Sequence, residues 1–313
     1  PYLWMEPVPM LHPIPRLSII VPISRDLAAF ERTLISVLEN QPAGSEILVS
    51  HDGSYDDPFQ LCDEVRFVVA DSKTLVDLVA AAAAEARGRY VHVLAEGICA
   101  TCGWTEEALE KFEHLDAGVV TPVIRDAKSD KIVAAGWHDG RDRLCKAACQ
   151  GRDEIESGSP KLIGAYLQAS FWRREVIRSV SDAFIGCDSI EAAYAYEHLI
   201  RAAGWRCVLA TQSEVLCDHG DLAWDASSLG RGQRLRSIRN HFSSGGWTKS
   251  LSSSVGAAIA NVFQPGWVAE AIGQTLAPLA ARHIAKQIRT DAVVVRADAM
   301  GGVSWPPHHG DRT

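Results

Sequence analysis

No stretch of the sequence is long and apolar enough to cross a bilayer. A spanning helix needs about 20 predominantly apolar residues, and the most apolar run, Leu75 to Ala86, is far shorter and carries Asp77 and Glu85. There is no excess of positive charge either. Lys and Arg number 31 against 39 Asp and Glu, a formal net charge of -8. A nucleic-acid-binding protein would carry a basic patch or stripe; a lone anionic nucleotide needs only a few local cations. Pro1 to Pro15 lacks a basic start and a continuous apolar core, so it reads as an extended arm over residues 1–16 rather than as a signal peptide. There is no internal repeat and no low-complexity tract. What the chain has is 313 residues, 47% of them hydrophobic, enough to bury a sizeable core.

Eight cysteines are scattered through a chain too long to need staples. That usage suits a reducing, cytoplasmic compartment. Cys99/Cys102 and Cys145/Cys149 are spaced C-x-x-C and C-x-x-x-C. Four thiolates could hold a zinc ion, or these are free cysteines in loops and core. The loose second spacing and the missing glycine knuckle favour free cysteines.

Leu17 to Ile23 (LSIIVPI) is a continuous apolar, β-branched run, the pattern of a strand buried on both faces. Helical spacing follows over Asp26 to Asn40, then strands at Glu46 to Ser50 and Arg66 to Ala70. An alanine-rich helix covers Leu75 to Ala86, and Tyr90 to Leu94 is a fourth strand. This alternation predicts βαβ units and a largely parallel sheet. Further on, the pattern predicts a helix at Trp104 to Phe112 and strands at Ala117 to Val123 and Lys131 to Ala134. An irregular loop follows over Arg141 to Pro160. Helices are predicted at Phe171 to Val180 and Ser189 to Ala203, and a strand at Arg206 to Ala210. From Ala226 the pattern turns helical, including Trp267 to Ile288, and Met300 to Thr313 reads as a disordered tail.

Five segments carry a likeness: LSIIVPISR from Leu17, EILVSHDGSYDD from Glu46, GRYVHVL from Gly88, GVVTPVIRDAKSDKIVAAG from Gly118 and AAGWRCVLATQSEVLCDHGD from Ala202. In this order they resemble the family 2 glycosyltransferases of the GT-A fold. The resemblance implies an α/β domain over residues 17–220, with a mostly parallel sheet flanked by helices, and a helical C-terminal extension over 221–313. It also implies transfer of a sugar from a nucleotide-diphosphate donor to a saccharide or lipid-linked acceptor, with inversion at the anomeric carbon. The donor nucleotide would sit at Pro22, Ile23, Ser24, Asp52, Gly53, Ser54 and Asp56. A carboxylate at Asp52 can accept a hydrogen bond from a uracil- or guanine-type N–H, and Gly53 lets the backbone approach. Alone, Asp52-Gly53-Ser54 would read as an ordinary turn.

The departure lies after the fourth strand. The family commonly holds Mg²⁺ or Mn²⁺ there with an Asp-x-Asp motif, because hard cations want carboxylate oxygens. Here Ala95-Glu96-Gly97 stands in its place. Glu96 alone would bind such an ion weakly, helped by the diphosphate and by His219, which occupies the position of a histidine that can contact metal or phosphate. Cations from the later loop (Arg125, Lys128, Arg141, Arg143, Lys146) could replace the metal, since fixed cations do the same charge work. Loss of catalysis would instead leave a binding or scaffold protein of polysaccharide assembly. The general base implied by the resemblance is an acid near the start of the helix ending in Ala202-Ala203-Gly204; Glu191 is the first candidate, followed by Glu197 and Asp188. Asp188 or Ser189 would also suit an N-cap.

The C-terminal helices offer apolar residues that could touch a membrane surface or pack on the domain. Their basic residues form no single stripe, which favours packing. Replacing Asp52 by Ala is expected to abolish binding of UDP or GDP in a calorimetric titration; undiminished binding would show that the nucleotide lies elsewhere.

Overall fold

The computed structural model describes residues 14–114, 116–140, 143–156, 161–186, 188–218, 226–243, 265–289, 292 and 294–298. Strand β1 (Leu17–Pro22) is buried along its whole length, as its unbroken apolar run requires. It pairs in parallel with β2 (Ser45–His51) on one side and with β4 (Tyr90–Leu94) on the other. Strand β3 (Arg66–Val69) extends the sheet beyond β2. The crossovers contain α1 (Leu27–Glu39) and α2 (Leu75–Glu85). Asp26 caps α1 by accepting from the Ala29 N–H, and Thr74 caps α2 by accepting from the Asp77 N–H. The chain thus steps outward from β1 to β3, then returns to the far side of β1 as β4. In an open α/β sheet such a reversal leaves a crevice beyond the carboxyl ends of the two strands.

Past β4 the sheet continues with β10 (Ala169–Arg173), β6 (Ala117–Asp126), β11 (Arg206–Cys217) and β5 (Ile98–Ala100), and β7 (Ile132–Ala134) pairs with β6. Strands β1 to β4, β6 and β11 run one way; β5, β7 and β10 run against them. The helix predicted from Phe171 begins only at Arg174, as α4 (Arg174–Ala183). Ala169 to Arg173 is a strand instead, because it fills the gap between β4 and β6 and finds ladder partners on both sides. Its Phe171 stacks on His92 of β4 with ring centroids 3.6 Å apart. Buried aromatic residues favour that pleated setting.

The loop expected over Arg141 to Pro160 is corrected too. Within its described part, β9 (Lys146–Ala147) pairs with β8 (Trp137–His138), and Leu144, Cys145, Ala147 and Cys149 are buried. Two-residue strands leave no readable alternation. The helix expected from Trp104 shortens to α3 (Glu106–Lys111).

Helix α5 (Ser189–Ala202) is capped by Asp188, which accepts from the Ile190 and Glu191 N–H groups. Helix α6 (Leu229–Phe242) lies on α5, and α7 (Pro265–Thr275) and α8 (Ala277–Gln287) lie on α6. The helical stretch expected over Trp267 to Ile288 consists of two helices. Pro278 stands in the first turn of α8, where its missing N–H costs nothing.

Buried charges and close backbone contacts hold these helices on the domain. Glu270 of α7 is 1% exposed and accepts from Arg143 Nε at 3.1 Å and from Arg231 of α6. Arg231 also donates to the Leu144 and Cys145 carbonyls. Asp139 accepts from the Tyr194 hydroxyl of α5 at 3.0 Å and pairs with Arg239 of α6 at 3.3 Å. Where α6 crosses α7, a Cβ on Gly232 would collide with the Glu270 carbonyl, and one on Gly273 with the Leu229 carbonyl. No described helix is long and apolar enough to cross a membrane. The 220/221 boundary, the arm up to residue 13, the stretch 244–264 and the tail from 299 lie outside the described residues.

Gly232→Ala should force α6 and α7 apart and cost about 1–3 kcal/mol. Chemical denaturation followed by circular dichroism checks this; an unchanged midpoint would mean that the helices do not meet there.

Candidate functional site

The crevice at the strand reversal opens into a cavity of ≈ 1010 Å³, the size expected of a site for a nucleotide-sized ligand. The turn after β1 supplies Ser24, Arg25 and Asp26, and the turn after β4 supplies Ala95, Glu96 and Gly97. Lys73 and Thr74 border it ahead of α2. Gln168, Asp188 and Glu191 form another wall, and Arg234 of α6 with His283 and Gln287 of α8 close it.

Glu96 has a demanding local role. Its carboxylate accepts from the Ser24, Arg25 and Asp26 N–H groups at 3.1, 2.9 and 3.3 Å, and from the Ser24 hydroxyl at 2.8 Å. These donors lie in the loop that leads into α1, whose helix dipole also favours negative charge at its N-terminus. Glu96 therefore binds the end of β4 to the loop after β1. The next residue, Gly97, sits in a turn that favours glycine. Ala95 to Ile98 is a turn closed by the Ile98 N–H on the Ala95 carbonyl at 3.1 Å, with Gly97 at φ 83. A turn with positive φ at its third position selects glycine and strains a residue with a Cβ.

Glu191 is 4% exposed and ion-paired with Arg234 Nε. Burial pushes its carboxyl up to about 7; Arg234 pulls it down and Asp188 pushes it up. It lines the cavity together with Asp188, whose carboxylate caps α5. Glu197 is 2% exposed, lies 3.6 Å from Arg201 and does not line the cavity. Burial pushes it well above the ordinary carboxylate range.

On the nucleotide side, Pro22 ends β1, Ile23 donates its N–H to the Ser50 carbonyl at 2.8 Å, and Ser24 lines the cavity. Asp52 accepts from the Ser54 hydroxyl at 2.6 Å and N–H at 3.2 Å, and pairs with Lys73 at 3.3 Å. The Ser54 hydroxyl, more than any other group, holds its carboxyl below the ordinary range. Asp52, Gly53, Ser54 and the exposed Asp56 do not themselves line the cavity. Lys73 links Asp52 to it. His219 lies outside the described residues.

Of the two residues that would hold a divalent cation, Glu96 alone is among the described residues. Among the described residues no three His, Cys, Asp or Glu side chains gather to hold a metal ion, so neither the Asp-x-Asp region nor the paired cysteines form such a cluster. The loop cations are also placed differently from expectation. Arg125 pairs with Glu214 at 2.8 Å, Arg143 is buried against Glu270, Lys146 lies over the Trp267 ring, and Arg141 is outside the described residues. None of Arg125, Lys128, Arg143 and Lys146 lines the cavity; Arg25, Lys73 and Arg234 do.

Sequence reasoning missed Gln168, Arg234 and His283. Gln168 is 3% exposed; its Nε2 donates to Ser189 Oγ at 2.7 Å, while its buried Oε1 has no partner among the described residues. An orphaned buried acceptor in a cavity wall suits a ligand hydroxyl. The density of arginine along Leu229 to Phe242 was the available signal for Arg234.

The strand order, the crevice at the reversal and the capping helices define a GT-A-type glycosyltransferase fold. Two solved structures agree in fold. GalNAc-T7 with UDP, GalNAc and Mn²⁺ matches at TM-score 0.52 and 13% identity, over 88% of this chain and 58% of that one. TarS 1–349 from S. aureus matches at 0.51 and 9%, over 88% and 76%. The mannosyltransferase PcManGT from Pyrobaculum calidifontis, in complex with GDP-Man and Mn²⁺, matches at 0.45 and 11%, over 86% and 87%. No family model matches the chain, and no curated protein matches it in sequence.

Glu96→Ala should free the loop after β1 and cost about 1–2 kcal/mol, as loss of a helix cap does. Thermal melting measures it; an unchanged melting temperature would mean that the loop holds its shape without Glu96.

Proposed function

We propose that this chain is a glycosyltransferase that moves a sugar from a nucleotide-diphosphate donor to a saccharide or lipid-linked acceptor, with inversion. The observation that carries this reading is Glu191: a buried carboxyl raised to about 7 in the wall of the cavity that a GT-A-type sheet opens at its strand reversal. A base poised near the working pH is what proton transfer from an acceptor hydroxyl requires. The nucleotide sits beyond β1 and β2, with Ser24 and the Asp52–Lys73 pair on that side. The sugar lies towards Gln168, whose free Oε1 accepts from one of its hydroxyls.

In the reaction Glu191 takes the proton of the acceptor hydroxyl. The acceptor oxygen forms a bond to the anomeric carbon, the bond from that carbon to the diphosphate oxygen breaks, and the electron pair leaves with the nucleoside diphosphate. An acceptor that is lipid-linked would find apolar contact on Ile272 and Leu279, which α7 and α8 leave exposed.

The pH dependence follows from the sign of the shift. Glu191 acts as base only when ionised, so kcat/KM should rise with pH and level off above about 7. Glu191→Gln should lower kcat by about 10²–10⁴-fold while donor binding persists. Steady-state rates with UDP- and GDP-sugars across pH 5–9 test both. A variant as active as the parent would remove Glu191 from the chemistry, and failure of the parent to turn over any donor would favour a binding or scaffold role.

A further inference from the structure

We propose that the chain neutralises the donor diphosphate with its own cations, chiefly Arg234 of α6, and needs no resident divalent ion. This rests on the transferase reading above. Expulsion of a diphosphate develops negative charge that something must balance. In many sites a divalent cation does so, held by open carboxylate oxygens converging on one point. Among the described residues, every acidic side chain that lines this cavity already has a partner in the protein. Asp26 caps α1, Asp188 caps α5, Glu96 takes four donors from the loop after β1, and Glu191 faces Arg234. Asp218, at the end of the described part of β11, pairs with Arg32 at 2.9 Å. The turn at Gly97 disfavours a second carboxylate beside Glu96.

Three cations line the same cavity, of which Lys73 is paired with Asp52 at 3.3 Å. Arg25 borders the cavity with no ion pair to a described residue, and Lys73 borders it from the nucleotide side. Arg234 enters from the opposite wall. Among the described residues its one hydrogen bond is from Nε to Glu191. That leaves the two terminal nitrogens of the guanidinium, whose planar fork matches phosphate oxygens. Its side chain is 36% exposed, so it can reach an incoming anion. A diphosphate carries more charge than the single carboxylate that holds Arg234 beforehand. Donor binding therefore draws Arg234 from Glu191 to the phosphates and leaves Glu191 for the acceptor hydroxyl. One side chain then links occupation of the donor site to release of the base.

Calorimetric titration with UDP, GDP, UMP and GMP tests this, in EDTA and then in Mn²⁺, on the parent protein, Arg234→Ala and Arg234→Lys. The parent should bind a nucleoside diphosphate in EDTA within about twofold of its affinity in Mn²⁺, and Arg234→Ala should lose about tenfold or more. Its affinity for the matching monophosphate should stay unchanged, and Arg234→Lys should recover part of the loss. Diphosphate binding that EDTA abolishes overturns the inference while leaving the transferase reading in place. So does an Arg234→Ala protein that binds diphosphate like the parent. Absence of all nucleotide binding by the parent overturns both. The EDTA comparison on the parent decides the matter even if Arg234→Ala fails to fold.

Discussion

Helix α6 lies on α5 and carries Arg234 to Glu191, and the character of the site follows from that contact. Glu191 stands at the start of α5, 4% exposed, with Arg234 of α6 as its ion-pair partner. Covered, it loses water, and its proton affinity rises into the neutral range. The contact is costly to maintain, because it buries charge. Glu270, Arg231 and Arg143 are all nearly inaccessible, and removing one partner of such a group would leave the others unpaired in a dry setting. Glycines at the α6–α7 crossing let the backbones approach closely enough for that network to close.

A second constraint acts from the sheet. Strands β1 and β4 end side by side, and Glu96 at the end of β4 is held by the loop after β1. A carboxylate that in other settings could meet a metal here completes a backbone anion site. The cavity keeps its shape through this internal pairing, and the positive charge facing it comes from Arg25, Lys73 and Arg234. These cations share the cavity wall with four carboxylates, Asp26, Glu96, Asp188 and Glu191.

Much of the scaffold was legible. The run LSIIVPI reads as a strand buried on both faces, and the apolar spacing over Asp26 to Asn40 and Leu75 to Ala86 reads as helix. Glu191 was found as a candidate from its place before Ala202-Ala203-Gly204. Other parts were not legible. Ala169 to Arg173 carries aromatic residues that suit either state, and only the gap between β4 and β6 made it a strand. The sequence offers the loop after β6 as a source of cations in place of a metal, whereas Arg234, which meets Glu191, comes from a helix some forty residues beyond Glu191. Separation of that size leaves no local pattern to read.

The sequence by itself determined the alternation of strands and helices and the presence of Ala95-Glu96-Gly97 after the fourth strand. Those are properties of periodicity, capping and residue identity, which act over a few neighbours. Only the tertiary structure decided that Glu96 is engaged by the loop, that Glu191 lines the cavity while Glu197 does not, and that Arg234 and Gln168 face the same space. Each of those depends on which distant segments exclude water from a side chain, and burial is a property of the packed whole.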